Sequence, residues 1–197
     1  MKDTEEAFTG LEAAVVFVAF VVVAAVFMYI VLGSGFFTTQ KSHEVVYAAV
    51  GSSASNIIVK GDVYGIADDS FRNISYIQFD LGLAAGGYPV DVAKLNIIYS
   101  DTSTSPRHLN GSPVYAAGTV PPARNWSIVQ KAGSGITDPG NDHTLRIGQT
   151  YTLRLNVSET GIPPRESIYI EIKPEVGASL AISRTVPPSL RATTVLA

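Results

Sequence analysis

Between Ala13 and Leu32 the chain reads AAVVFVAFVVVAAVFMYIVL, twenty residues without a charge or a strongly polar group. As an α-helix this run is about 30 Å long, the thickness of a bilayer hydrocarbon core. It has no polar face, and a helix that is apolar all round must be buried all round. Lipid can bury it, and so can a bundle of identical helices. Few folds accommodate such a segment, and the rest of the chain has to be arranged around it.

Glu12 stands at the entry to the run, in the stretch Phe8-Thr9-Gly10-Leu11-Glu12. A carboxylate at mid-membrane costs about 2.5–3.5 kcal/mol and less near the interface, while strongly apolar residues return about 0.3–0.6 kcal/mol each. Insertion therefore survives Glu12. Two roles fit it. It can meet a positive charge when helices associate, such as the α-amino group of a processed neighbour. It can also favour the helix dipole from the first turn, worth about 0.3–1 kcal/mol. Within the run, Phe17, Phe20 and Phe27 share one face, and alanines provide flatter patches where backbones approach closely.

The seven residues before Phe8 (MKDTEEA) carry one Lys and three acids. A secretory signal has an apolar core of roughly 7–15 residues followed by a small-residue cleavage site. Here the apolar run is too long and no such site follows it. A processing point would precede the run, and cutting there would keep the helix. Gly33-Ser34-Gly35 is read as a soft point, helical spacing resumes after it, and Gly51-Ser52-Ser53 closes the helix.

From Asn56 the period changes to two. Ile77, Phe79, Leu81 and Leu83 alternate with polar or small residues, as do Tyr151, Leu153, Leu155 and Val157, and then Ile168, Ile170 and Ile172. Further strands are expected at Ile57–Tyr64, Val92–Tyr99, Val114–Ala117, Trp126–Gln130, His143–Ile147 and Leu180–Thr185. Polar or Pro-rich loops are expected at Ser100–Ser112, Gly118–Arg124 and Gly133–Asp142. Pro187–Ala197 is either a last strand or a loose end. The fold class is α+β: a long N-terminal hydrophobic α-helix followed by an immunoglobulin-like antiparallel β-sandwich. The chain divides into a leader at 1–7, the helix at 8–53 and the sandwich at 54–197, a length sufficient for its own core.

Little in the sequence points to catalysis, and no enzyme activity is expected. The three histidines, His43, His108 and His143, lie far apart, and there is no nucleophile elbow, zinc-binding helix or phosphate loop. There are no cysteines, which removes disulfides and thiol chemistry. Asp68-Asp69 does not match a calcium loop, and Asp138-Pro-Gly-Asn-Asp142 reads first as a turn. No metal and no cofactor are expected. The net charge of −3, without any basic cluster, gives no footprint for nucleic acid. Four N-glycosylation sequons begin at Asn73, Asn110, Asn125 and Asn156, all after the apolar run. They are candidate sites for N-linked glycans, and four on one side of the apolar run are a mild argument that this side is exported.

The stretch Phe8-Thr9-Gly10-Leu11-Glu12, then AAVVFVAFVVVAAVF and GFFTTQKS, resembles an archaeal flagellin (archaellin), of the type IV pilin-like superfamily. The resemblance is specific over residues 5–60. It implies a class III signal peptide cut by a prepilin peptidase between Ala7 and Phe8. It implies a subunit inserted in the cytoplasmic membrane before assembly and then drawn into a helical homopolymer at the cell surface, with helices in the core and β-domains outside. The implied partners are other copies, the archaellum membrane platform and its motor ATPase, and the implied role is swimming. Phe8, Glu12, Phe17, Phe20 and Phe27 become the assembly residues, with Glu12 where pilins carry their glutamate. Ala7 stands where the family usually has Gly. The alternatives are a type IV-like adhesion pilin subunit and a membrane-anchored β-sandwich binding protein.

Overall fold

The computed structural model describes the backbone of residues 2–54 and 56–197, and the side chains of residues 10–50 and 56–197. The chain divides into two units, Met1–Ala49 and Val50–Ala197, each considered by itself below. One α-helix, α1 (Lys2–Ala54), runs for 53 residues, about 80 Å at 1.5 Å per residue. Every described side chain from Gly10 to Val50 is exposed.

The soft point at Gly33-Ser34-Gly35 does not interrupt the helix. The hydroxyls that follow turn back onto it. Ser34 Oγ donates to Val31 O, Thr38 Oγ1 to Ser34 O, Thr39 Oγ1 to Gly35 O and Ser42 Oγ to Thr38 O, each at 2.9 Å. Hydroxyls satisfied within their own helix need no water. The water-tolerant character of the sequence beyond Leu32 is therefore less than its composition suggests. The first full charges after Glu12 are Lys41 and Glu44, which pair at 2.6 Å, beside the stacked rings of His43 and Tyr47.

Among its described residues the second unit contains eleven strands: β1 (Ile57–Ala67), β2 (Ile74–Leu83), β3 (Val90–Asp91), β4 (Asn96–Asp101), β5 (Arg107–Leu109), β6 (Trp126–Ala132), β7 (Thr144–Leu145), β8 (Thr150–Asn156), β9 (Ser167–Lys173), β10 (Leu180–Thr185) and β11 (Thr193–Leu196). Five form one sheet in the order β11-β1-β2-β8-β6, four form a second in the order β10-β9-β4-β5, and β3 pairs with β7. All strand pairs are antiparallel. Alternation explains the layering. Ile77, Phe79 and Leu81 of β2, and Tyr151, Leu153 and Leu155 of β8, point inward from the first sheet. Ile97 and Tyr99 of β4, and Ile168, Ile170 and Ile172 of β9, meet them from the second. One continuous core results, as in a β-sandwich.

Several expected elements differ. The strand expected over Val92–Tyr99 is broken by a 3-10 turn at Val92–Lys94, because Asp91 Oδ1 accepts from Ala93 N at 3.0 Å and caps the turn. Val114–Ala117 makes no strand, only a bridge between Tyr115 and Ile128. His143–Ile147 shrinks to the two residues of β7. The loop expected over Ser100–Ser112 contains β5, held because Leu109 is buried opposite Ile97. Pro187–Ala197 resolves as an edge strand, β11, whose Leu196 pairs with Val63 and enters the core. Beyond it, Thr185 N donates to Ala197 O at 2.7 Å and Ala197 N to Thr185 O at 3.1 Å, joining the two sheets at one corner.

Candidate assembly helix and the loop end of the sandwich

α1 presents the expected assembly residues as bare side chains. Phe17 is 68% exposed, Phe20 73% and Phe27 68%. Glu12 lies in a shallow apolar patch lined by Leu11, Val15 and Val16, with no hydrogen-bond or ion-pair partner among the described residues. The side chains of Ala7 and Phe8, the expected processing site, lie outside those described. A lone helix with this much apolar surface in water is unstable by the area rule, since each fully buried large apolar side chain gains about 1.5–3 kcal/mol. The geometry thus requires a covering partner along the whole apolar length.

The four sequons, scattered in sequence, come together at one end of the sandwich. Asn110 N donates to Arg124 O, Trp126 N to Asn110 O, Asn156 N to Asn125 O, and Val157 N to Ser75 O. Their amides differ sharply. Asn110 is exposed. Asn73 is half-buried beside Gly161. Asn125 Nδ2 donates to Ser112 O at 2.7 Å, and its sequon serine, Ser127, is buried with Oγ on Pro113 O at 2.7 Å. Asn156 is buried, its Nδ2 on Pro121 O at 2.7 Å and its Oδ1 accepting from Ser158 N at 3.0 Å. In the folded domain Asn156 has neither room nor a free amide for a glycan, contrary to the equal standing the sequence gives it. No linear signal separates these four asparagines.

The histidines do not converge. His43 is on α1, His108 Nδ1 lies 2.9 Å from Asn96 Oδ1, and His143 belongs to a cluster around Lys131. There Lys131 Nζ donates to Pro139 O at 2.6 Å, to Asp142 O at 2.7 Å and to His143 Nδ1 at 3.1 Å, beneath the Tyr115 and Tyr151 rings at 4.7 and 5.1 Å. The cluster ties the Gly133–Asp142 loop to β6. Burial lowers the Lys131 ammonium against the raising effect of Asp142 and Asp138. Burial, then Lys131, lowers the His143 imidazole. The Arg146 guanidinium 2.7 Å from Asp142 holds that carboxyl at about 2.

The Asp138 loop is a turn. Asp138 Oδ1 accepts from Gly140 N and Asn141 N, and Oδ2 from Asn141 Nδ2, so both oxygens face their own loop. Asp68 is engaged in the same way by Ser70, Arg72 and Asn73. Among the described residues no group of three or more His, Asp or Glu side chains is placed to hold a metal ion.

A membrane-length helix bare on every side, joined to a β-domain with its own core, is the architecture of a membrane-anchored domain or of a subunit that associates through its helix. A model of the family described as archaeal-type flagellin matches residues 7–184. "Probable flagellin 2" of Archaeoglobus fulgidus is 35% identical over 200 residues, 96% of this chain and 93% of that relative. The archaeal flagellum of Methanospirillum hungatei strain JF1 superposes with a TM-score of 0.72 at 28% identity, covering 95% of this chain and 99% of that one. Archaeal flagellin FlaB1 from Methanocaldococcus jannaschii shares the fold, with a TM-score of 0.57 at 18% identity over 73% of this chain and 97% of that one. The chain belongs to the archaeal-type flagellin family. It is a structural subunit of a self-assembling flagellar filament, an extracellular surface structure that serves motility.

Proposed function

We propose that this subunit polymerises through α1, first held in the cytoplasmic membrane and then transferred to the filament core. The observation that carries this is the bare surface of the described part of α1, with the hydroxyls of Ser34, Thr38, Thr39 and Ser42 satisfied within the helix. Lipid and a helix bundle are both dry, so transfer exchanges one apolar environment for another at modest net cost. Packing of small and large residues then favours the bundle. A prepilin peptidase cuts between Ala7 and Phe8, leaving a new α-amino group close to Glu12 of a neighbour. Charge pairing in that dry setting fixes the axial register of one helix against the next. The membrane platform and motor ATPase supply the work, because the chain has no phosphate loop of its own. It acts as a structural element and performs no catalysis, and it needs no cofactor or metal. The β-domains face outward and carry any N-linked glycan.

Replacing Glu12 by Ala tests the pairing. Membrane insertion persists, because the apolar run is intact, while filament formation slows or stops. Glu12→Ala filaments of normal rate and length would overturn the pairing role.

A further inference from the structure

At the tip joining β1 to β2, Phe71 sits at φ 53°, in the left-handed region, and is 53% exposed. A bulky side chain is strained in this region, and glycine would occupy it freely. The tip is nevertheless rigidly built. Asp68 N donates to Asn73 O at 2.9 Å and Phe71 N to Asp68 O at 3.0 Å. The Asp68 carboxylate accepts from Ser70 Oγ at 2.7 Å and Arg72 N at 3.0 Å. The aromatic ring is therefore held out to solvent by a turn designed around it. Asp69, two residues earlier, is exposed and has no hydrogen-bond or ion-pair partner among the described residues.

The outward face of the five-stranded sheet carries a complementary groove of about 360 Å³, lined by Tyr64, Ile66, Gln78, Arg154 and Thr193. Val195, 47% exposed, lies directly across from Tyr64 in the register. Arg154 donates through Nε and Nη2 to Gln78 Oε1, at 3.1 and 2.8 Å. Its only side-chain partner is thus neutral, and among the described residues no carboxylate lies within ion-pair distance of it; Asp80, one step along the same face, accepts from Thr152 Oγ1 at 2.6 Å. An aromatic ring with an acid two residues away meets an open, mostly polar groove in which Tyr64 and Ile66 flank a guanidinium that makes no ion pair, a setting for ring-on-guanidinium stacking and for a charge pair.

We propose that Phe71 of one subunit docks into the Tyr64–Ile66–Arg154 groove of a second copy of this chain, with Asp69 against Arg154. The proposal rests on the chain's being a filament subunit. Knob and groove are different surfaces of one molecule, so the contact is heterologous. A heterologous contact that does not close on itself propagates as an open helix. The outer domains then add their own directional contact to that of the helices.

The test compares filaments of the full chain with its detergent-solubilised subunit. Phe71→Gly removes the knob and suits the left-handed turn, so the subunit melts at the same or a higher temperature. Filaments of Phe71→Gly lose subunits about tenfold faster or more, the effect of deleting an aromatic anchor. Asp69→Arg and Arg154→Asp each shorten filament lifetime, and the two together restore it. Equal lifetimes for Phe71→Gly and unaltered filaments would overturn the contact. So would a lowered melting temperature of the Phe71→Gly subunit, or a double charge exchange no better than either single one. Failure of Glu12→Ala to affect assembly counts against the helix pairing alone, and failure of Phe71→Gly to affect lifetime counts against this contact alone.

Discussion

Single residues decide where the outer domain can be modified and how it responds to acid. Asn110 and Asn156 share the same short motif, yet one is exposed and the other is buried with both amide atoms engaged. Mass spectrometry of peptides from intact filaments should find glycan on the Asn110 peptide and none on the Asn156 peptide. Modification of Asn156 at high occupancy would contradict the burial argument. The motif was legible in the sequence, and its accessibility was not, because accessibility depends on segments distant in sequence, such as the Pro121 carbonyl that takes the Asn156 amide. His143 gives a second test. Lys131 can only donate, so His143 Nδ1 accepts and the ring is neutral. The charges of Asp91, Asp142 and Asp138 act the other way and do not outweigh burial and Lys131. With the folded value lowered, the unfolded chain takes up the proton first as pH falls. Stability is complete above about 6.5, the ordinary imidazole value, and declines below it toward the folded value. A separate decline follows below 3.8, as Asp142 is titrated toward its folded value of about 2. Melting temperatures between pH 8 and 5 should fall less for His143→Gln than for the unaltered chain, and parallel curves would show that His143 does not contribute.

At the scale of elements, strands with a continuous two-residue alternation were legible, and short or capped ones were not. Leu180–Thr185 matches β10 end to end, and the alternating runs around Phe79, Leu153 and Ile170 are β2, β8 and β9. β5 spans three residues and shows only one inward apolar side chain, Leu109, too little to produce a periodic signal. β11 depends on its partner β1, so Pro187–Ala197 remained ambiguous until the pairing was known. The inward row of β8 should carry correspondingly large energies. Leu153 is fully buried between the sheets, and Leu153→Ala should cost about 2–5 kcal/mol of unfolding free energy, measured by denaturant titration. A loss below 1 kcal/mol would mean that the two sheets do not form one tight core. For α1, the length of the apolar run was evident at once. The continuation of the helix through Gly33-Ser34-Gly35 was not, because glycine and serine usually signal a break. Here the hydroxyls back-bond onto the preceding turn and the helix passes through.

The whole molecule combines two solutions to burial. The sandwich covers its own apolar residues, and α1 covers none of its described ones. The first property permits secretion of a stable outer domain. The second compels association, since a helix apolar on every side has no stable place in water. Family membership and the sequence pattern agree on this division of labour, and the sequence alone carried it because both signals, a long unbroken apolar run and short alternating ones, are local. The outer surface is less legible, since Phe71 and its proposed groove are defined by turn geometry and cross-strand neighbours. The central claim is that α1 forms the dry core of the polymer. The chain has no cysteine, so Phe20→Cys provides a single thiol at a site 73% exposed in the isolated subunit. Sheared, membrane-free filaments of this variant, treated with a water-soluble maleimide, should label only after they are dissociated. Rapid labelling of Phe20→Cys in intact filaments would contradict the account.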